Sequence, residues 1–148
     1  MKAAVWKGIE QLDIEEFPIP TPDGPFDVQV KVDTCGVCGT DVHILEGKFP
    51  LFSPPRVIGH EYVGTVTAVG SAVTKVKVGD RVAVEQGLVC DRCYFCRDGR
   101  EHLCNNRYAH PGGFAEYTCV VERMCHKLPD GLSWENALRI SPDLAVGL

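Results

Sequence analysis

Apolar and polar residues alternate strictly over "DVQVKVDTCG", which places Val28, Val30 and Val32 on one face and predicts a half-buried strand. "MKAAVWK" predicts a short first strand. "HEYVGTVTAVG" is β-branched, ends at Gly70 and predicts another. In "VKVGDRVAVE" the pair Gly79-Asp80 sits between two valine-rich runs, the pattern of a hairpin. "GGFAEYTCVV" and "MCHKLP" return to strand. Helical signals are few and short. Gly39 and Thr40 open one in "CGTDVHILEG", closed by Gly47, and Ser133 is a candidate N-cap for "LSWENALRI". "FPLFSPPRVIG" is a proline-broken loop, and residues 85–111 form a long loop with no strand or helix pattern. Many short strands with glycine turns predict a mainly β fold, a partly closed β-barrel with short helices at its rim.

Composition narrows the class. The chain has 148 residues, 45% hydrophobic and 24% charged, with a formal net charge of −5. That length supports one domain with a sizeable core, spanning 1–148. The acidic balance gives no electrostatic footprint for nucleic acid, and no apolar run reaches membrane-spanning length. The N-terminus turns acidic too early for a signal peptide, so the expected location is cytoplasmic. The apolar "SPDLAVGL" at the C-terminus reads as a cut partway through a longer protein.

Cysteine changes the picture. Four of the eight cysteines fall in fifteen residues, "CDRCYFCRDGREHLC", spaced Cys-x2-Cys-x2-Cys-x7-Cys at Cys90, Cys93, Cys96 and Cys104. In a reducing compartment such clustering favours metal over disulfide. Four thiolates close a tetrahedron around zinc, a structural site that supplies the folding energy this loop (a lobe of about residues 88–106) otherwise lacks. Arg92, Arg97 and Arg100 would offset its negative charge. A four-iron cluster is disfavoured because Asn105, not proline, follows Cys104. A nucleic-acid-binding zinc ribbon is disfavoured by the net charge, and a redox-sensing thiol cluster leaves the second set of ligands idle.

That second set is Cys38, Thr40, Asp41, His43, His60 and Glu61, in "CGVCGTDVH" and "GHEYVG". One Cys and one His with a carboxylate or water would make an open, catalytic kind of zinc site. Thr40 and His43 are three apart and share a helical face, so a hydroxyl and an imidazole could pass a proton to solvent. Asp41 could orient a ligating imidazole. A buried Cys38, an ordinary core His60 and a helix-capping Asp41 explain the same residues without a metal.

Together the motifs resemble the zinc-dependent medium-chain alcohol dehydrogenases. "GHEYVGTVTAVG" is similar to the family's GHE-x2-G-x-V-x3-G signature, with Gly59, His60, Glu61, Gly64, Val66 and Gly70 in place. "CGVCGTDVH" resembles its catalytic cysteine segment, "VGDRV" and "GGFAEY" occur in the family's order, and "CDRCYFCRDGREHLC" resembles its structural-zinc lobe. The nearest branch is that of the threonine, sorbitol and butanediol dehydrogenases. The resemblance implies a GroES-like β-barrel catalytic domain. It implies Cys38, His60 and Glu61 at a catalytic zinc and Thr40 and His43 as a proton relay. Asp41 then orients the ligating histidine, and Cys90, Cys93, Cys96 and Cys104 hold structural zinc. Cys35, Cys119 and Cys125 match no ligand position and are expected to be packing or incidental thiols. A small-molecule alcohol substrate, NAD or NADP as cofactor and a homo-oligomeric full-length enzyme are implied as well.

Two departures stand out. No G-x-G-x-x-G fingerprint occurs, so the nucleotide-binding Rossmann domain is absent from this chain, which is expected to be inactive alone. Where relatives carry a glutamate before Pro-Leu as a further zinc ligand, this chain has Ser141, Pro142 and Asp143. The alternative reading is a free-standing zinc-stabilised binding module without catalysis.

Overall fold

Two strands joined by a tight reversal begin the chain in a computed structural model that describes residues 1–85, 87–109 and 111–139. β1 (Lys2–Gly8) pairs antiparallel with β2 (Gln11–Glu16), and on its other edge with the short β4 (Arg56–Val57). β2 was not among the expected strands. Its period-2 pattern is present, but Leu12 and Ile14 face solvent at an open edge, so the alternation marks no core.

The larger sheet runs in the order β10-β6-β5-β3-β9, every pairing antiparallel. β3 (Asp27–Cys35) and β5 (Tyr62–Val69) form its centre, β6 (Arg81–Val84) and β10 (Cys125–Lys127) one side and β9 (Tyr117–Val121) the other. The bridge Ala3 to Ala115, with Ala4 N–H donating to Phe114 O and Glu116 N–H to Lys2 O, ties the small sheet to the rest. The result is the mainly β, curled half-barrel that the alternating valines predict.

Valines carry the main core. Val28, Val30, Val66, Val82 and Val84 close around Tyr62, with Val120, Met124 and Cys125. Each such side chain contributes about 1.5–3 kcal/mol on burial. β3 is buried on both faces near its start, so Gln29 is enclosed too. It is accommodated because its Oε1 accepts the Thr67 hydroxyl at 2.6 Å and its Nε2 donates to Pro20 O. A second cluster, Val63, Ala83, Leu128 and Ala137, seats the helix α3 (Trp134–Leu138). Ser133 caps it, its Oγ accepting Asn136 N–H at 3.3 Å, and the Arg81 guanidinium lies 3.8 Å over the Trp134 ring.

Two expectations need correction. The hairpin expected across Gly79-Asp80 has only one strand arm, because residues 70–80 form a loop connecting β5 to β6. Asp80 closes this loop: its Oδ2 accepts Lys77 N–H at 3.0 Å, while Val66 N–H donates to Asp80 O and Val66 O accepts Gly79 N–H, each at 2.9 Å. The segment 85–111 is not patternless. It holds the ribbon β7 (Gly87–Leu88) with β8 (Tyr108–Ala109), the helix α2 (Tyr94–Arg97) and a 3-10 turn, Glu101–Leu103.

Glu122 gives one pH-dependent device. Its carboxylate accepts the main-chain N–H groups of Lys75 and Thr74, tying the loop 70–80 to the end of β9. Those donors, Lys75 first, hold its pKa below the ordinary 4.5. The stabilisation is therefore complete above about pH 4.5 and is lost as pH falls through the lower folded value. Glu122→Gln is expected to be less stable than wild type in urea at pH 7, with the gap closing below pH 4. A gap independent of pH would contradict this.

Candidate metal centres

The sheet register brings the first group together. β3 ends at Cys35, opposite Tyr62 at the start of β5. The chain leaving β3 and the chain entering β5 therefore lie at the same end of the barrel. Cys38 follows the first and His60-Glu61 precede the second, and Gly36 N–H bonds Glu61 O at 2.7 Å across the gap. The sulfur, imidazole and carboxylate ligand atoms of Cys38, His60 and Glu61 all lie within 4.8 Å of one another.

Asp41 holds both halves. It sits in the first turn of the helix α1 (Gly39–Leu45), 3% exposed. Its Oδ2 accepts Cys38 N–H at 3.0 Å; its Oδ1 accepts Gly59 N–H at 3.1 Å and lies 3.3 Å from His60 Nδ1. One carboxylate thus orients both ligand segments and holds the His60 ring through Nδ1. Gly59 fits because its φ is +89° and because a Cβ there would stand 2.6 Å from the Phe114 ring. Thr40 Oγ1 is 3.8 Å from Cys38 Sγ and half-buried, while His43 is exposed and its Nδ1 is 3.6 Å from Glu46 Oε2.

A cleft of about 80 Å³ opens here. It is lined by Thr40, Asp41 and His60 together with Phe49, Phe52 and Arg56. This aromatic and cationic lining was missed when "FPLFSPPRVIG" was read only as a loop. The signal was its position: it is the segment joining the two ligand motifs. A larger cleft of about 350 Å³, lined by Pro20, Cys119 and Met124 among others, holds none of these residues. Ser141, Pro142 and Asp143 lie outside the described residues.

The second group is tighter. Cys93 and Cys96 sulfurs are 3.5 Å apart, Cys90 and Cys104 3.6 Å, Cys93 and Cys104 3.9 Å, and Cys90 and Cys96 4.0 Å. A tetrahedral zinc with Zn–S of about 2.3 Å requires sulfurs about 3.8 Å apart. The four fit such an ion and are too far apart for disulfides. α2 supplies the local geometry, with Cys93 at its N-cap position and Cys96 within it, three residues on. Main-chain N–H groups, Arg92 first, lower the Cys90 thiol to about 6, while burial first of all pushes Cys96 up to about 12. Charge-offsetting donors include Cys90 N–H and Asn106 N–H, each 3.4 Å from Cys104 Sγ. Arg100, expected in that role, instead bonds Asp98 at 2.6 Å. Arg123, not singled out from sequence, reaches from the barrel to Asp91 and to Val89 O and moors the lobe.

The other thiols differ. Burial pushes Cys35 and Cys125 to about 12 and Cys119 to about 11, so they remain protonated and weakly reactive at neutral pH. No helix among the described residues is long and apolar enough to cross a membrane.

Comparison with known proteins agrees with this architecture. The alcohol dehydrogenase GroES-like domain matches residues 24–130. A probable D-xylulose reductase A of Neosartorya fischeri is 41% identical over 147 residues, covering 93% of this chain. The chain spans only 41% of that relative's length. Among solved structures, an alcohol dehydrogenase (rspB) from Escherichia coli CFT073 complexed with NADH superposes with a TM-score of 0.86 and 39% identity, over 95% of this chain and 42% of that one. Galactitol-1-phosphate dehydrogenase from Escherichia coli gives a TM-score of 0.89 and 30% identity, over 95% and 41%. With more than two thirds of its residues inside the matched domain, the chain belongs to the alcohol dehydrogenase GroES-like family, the zinc-dependent medium-chain type.

Proposed function

We propose that this chain is the zinc-holding catalytic part of an NAD(P)-linked dehydrogenase acting on a secondary alcohol of polyol type. The observation that carries the reading is the convergence of Cys38, His60 and Glu61, with the Asp41 carboxylate holding both Cys38 and His60. Sulfur, imidazole and carboxylate are a donor set suited to zinc, and three protein ligands leave a fourth position for a substrate oxygen. A binding module held by the lobe alone gives no reason for that convergence. The relatives' names supply the substrate class: a ketose for one and a polyol phosphate for another.

Zinc held there supplies a Lewis acid that favours the ionised form of an alcohol. The chain does the rest of the local work. Phe49 and Phe52 wall the cleft and limit water. Thr40, near Cys38 Sγ, accepts the hydroxyl proton, and His43, one helical turn on and exposed, delivers it to solvent. Asp41 keeps the His60 ring in the orientation in which Nε2 is a ligand. Hydride acceptance requires a positioned nicotinamide, and these 148 residues carry no dinucleotide fingerprint. The other half of the cleft, the oligomer and the cytoplasmic setting belong to the same proposal.

Metal content tests it. The chain is expected to hold two zinc ions, and His60→Ala to retain one. The zinc-loaded chain, given NAD+ and sorbitol, is expected to yield no reduced nicotinamide by absorbance. A single zinc in wild type, unchanged in His60→Ala, rejects the catalytic centre; steady turnover rejects the division of labour.

A further inference from the structure

Cys90 differs from the other three sulfur donors in what holds it. Cys93 and Cys96 belong to α2 and its cap, and Cys104 follows the 3-10 turn of the lobe. Cys90 is gripped from the barrel. Arg123 donates from Nη1 to Asp91 Oδ2 and, at 3.1 Å, to Val89 O, and from Nη2 to Asp91 Oδ1 at 2.9 Å. One planar fork thus clasps the residue before Cys90 and the residue after it. Arg123 itself has a fixed base. It sits in the 3-10 turn Glu122–Met124, between Glu122, whose carboxylate holds the loop 70–80, and Met124, buried in the valine core.

Asp91 gives the clasp a purpose. Its φ is +55°, in the left-handed region that glycine enters freely and other residues enter at a cost. That conformation turns successive main-chain N–H groups inward. Those of Arg92 and Cys93 donate to the Cys90 sulfur, and that of Asp91 to the Cys96 sulfur. An aspartate relaxed to negative φ would turn them away from the sulfurs. Both members of the Arg123–Asp91 pair are partly exposed, so their charges alone contribute little; what the pair fixes is a conformation.

We propose that Arg123 is a positioning residue for the four-sulfur centre: by clasping Val89 and Asp91 it holds the Cys90 turn in its metal-binding form, so that the barrel, and not the lobe alone, sets how long zinc is retained. This rests on the four-sulfur zinc reading and is independent of the chemistry at Cys38 and His60.

The test is the rate at which a chromophoric chelator, 4-(2-pyridylazo)resorcinol, takes zinc from the loaded chain, in a His60→Ala background so that the lobe's ion alone is read. Arg123→Met is expected to release it about tenfold faster, the lower end of the effect of partners that stand behind metal ligands. Arg123→Lys, which keeps the charge but not the fork, is expected to fall between. Glu122→Gln, in the same turn but holding the other loop, is expected to release zinc at the unaltered rate. Asp91→Gly decides between positioning and simple tethering. Glycine takes this φ without help, so adding Arg123→Met to Asp91→Gly is expected to change the rate by less than about threefold. Far-UV circular dichroism at the assay temperature is expected to match the background chain in every variant. Equal rates with and without Arg123, the full tenfold acceleration in the Asp91→Gly chain, a rate that only tracks loss of the β signature, or a lobe that holds no zinc overturns the proposal. Two zinc ions in the chain with His60 and an Arg123-insensitive release rate reject this inference alone.

Discussion

Cys104→Ser is expected to empty the four-sulfur centre and unfold the lobe while leaving the barrel standing. Neither α2 nor the 3-10 turn that follows buries a side chain. The lobe therefore has almost no core of its own, and a zinc ion at the four sulfurs would supply its order. Structural zinc contributes about 10–16 kcal/mol in small zinc domains, and removing one of four thiolates forfeits a large share of it. Cys104 is also the one buried ligand of the four, 8% exposed, and its sulfur organises Cys90 N–H and Asn106 N–H. A serine hydroxyl is a much poorer zinc ligand and too short to fill the sulfur's place. Zinc measured by mass spectrometry should fall by one ion per chain. Trypsin should cut after Arg92, Arg97 and Arg100 faster than in the zinc-loaded wild type. The valine core includes only Leu88 from this region, packed at its margin, so far-UV circular dichroism should keep its β signature. Full zinc content in the serine variant, or protected arginines, would show that the lobe is held by something else. Lowering pH should release the same ion from wild type, because each ligand binds as thiolate and protons compete for it.

Gly64→Ala is expected to cost about 3 kcal/mol or more, through packing and not through the metal. A Cβ at position 64 would lie 2.2 Å from Lys31 O and 2.7 Å from Val30 Cγ1. The first of these is main chain of the neighbouring central strand, which cannot swing aside. The register pairs Gly64 with Val32, so the two strands would have to part where the sheet is most enclosed. Overpacking a core by one methyl costs about 1–3 kcal/mol when side chains can yield, and more when backbone must move. A loss of 3 kcal/mol corresponds to a fall of roughly 10 °C in the thermal midpoint for a chain of this size. Gly39→Ala is the matched control. An added methyl there meets nothing within 4 Å, at the first residue of α1, and stability should change by less than about 1 kcal/mol. Equal midpoints for the two variants would refute the close-approach argument. Gly64 belongs to the signature around His60, yet its reason for being glycine is the strand beside it.

The ligand types, their spacing and the mainly β class were legible in the chain itself. Cysteine spacing is local: three thiols within seven residues can meet on a turn whatever the rest of the protein does, and the fourth needs only a short return. Valine alternation is local too, which is why β3 and β5 were readable. The loop 70–80 was not, because Val76 is buried through a side-chain-closed turn and not a ladder, and sequence shows the apolar residue without showing which backbone partner it has. The meeting of Cys38 with His60 was a resemblance until the β3–β5 register placed the two segments at one end of the barrel. Asp41 illustrates the same division. Its place at the start of a helix was visible, but its simultaneous hold on Cys38, Gly59 and His60 spans about twenty residues of sequence and exists only once two strands have paired. Arg56 was invisible as part of the cleft for the same reason. Which side chains share a cleft depends on contacts between distant segments, and those are set by the packing of the whole sheet, whereas donor chemistry and periodicity are properties of neighbours along the chain.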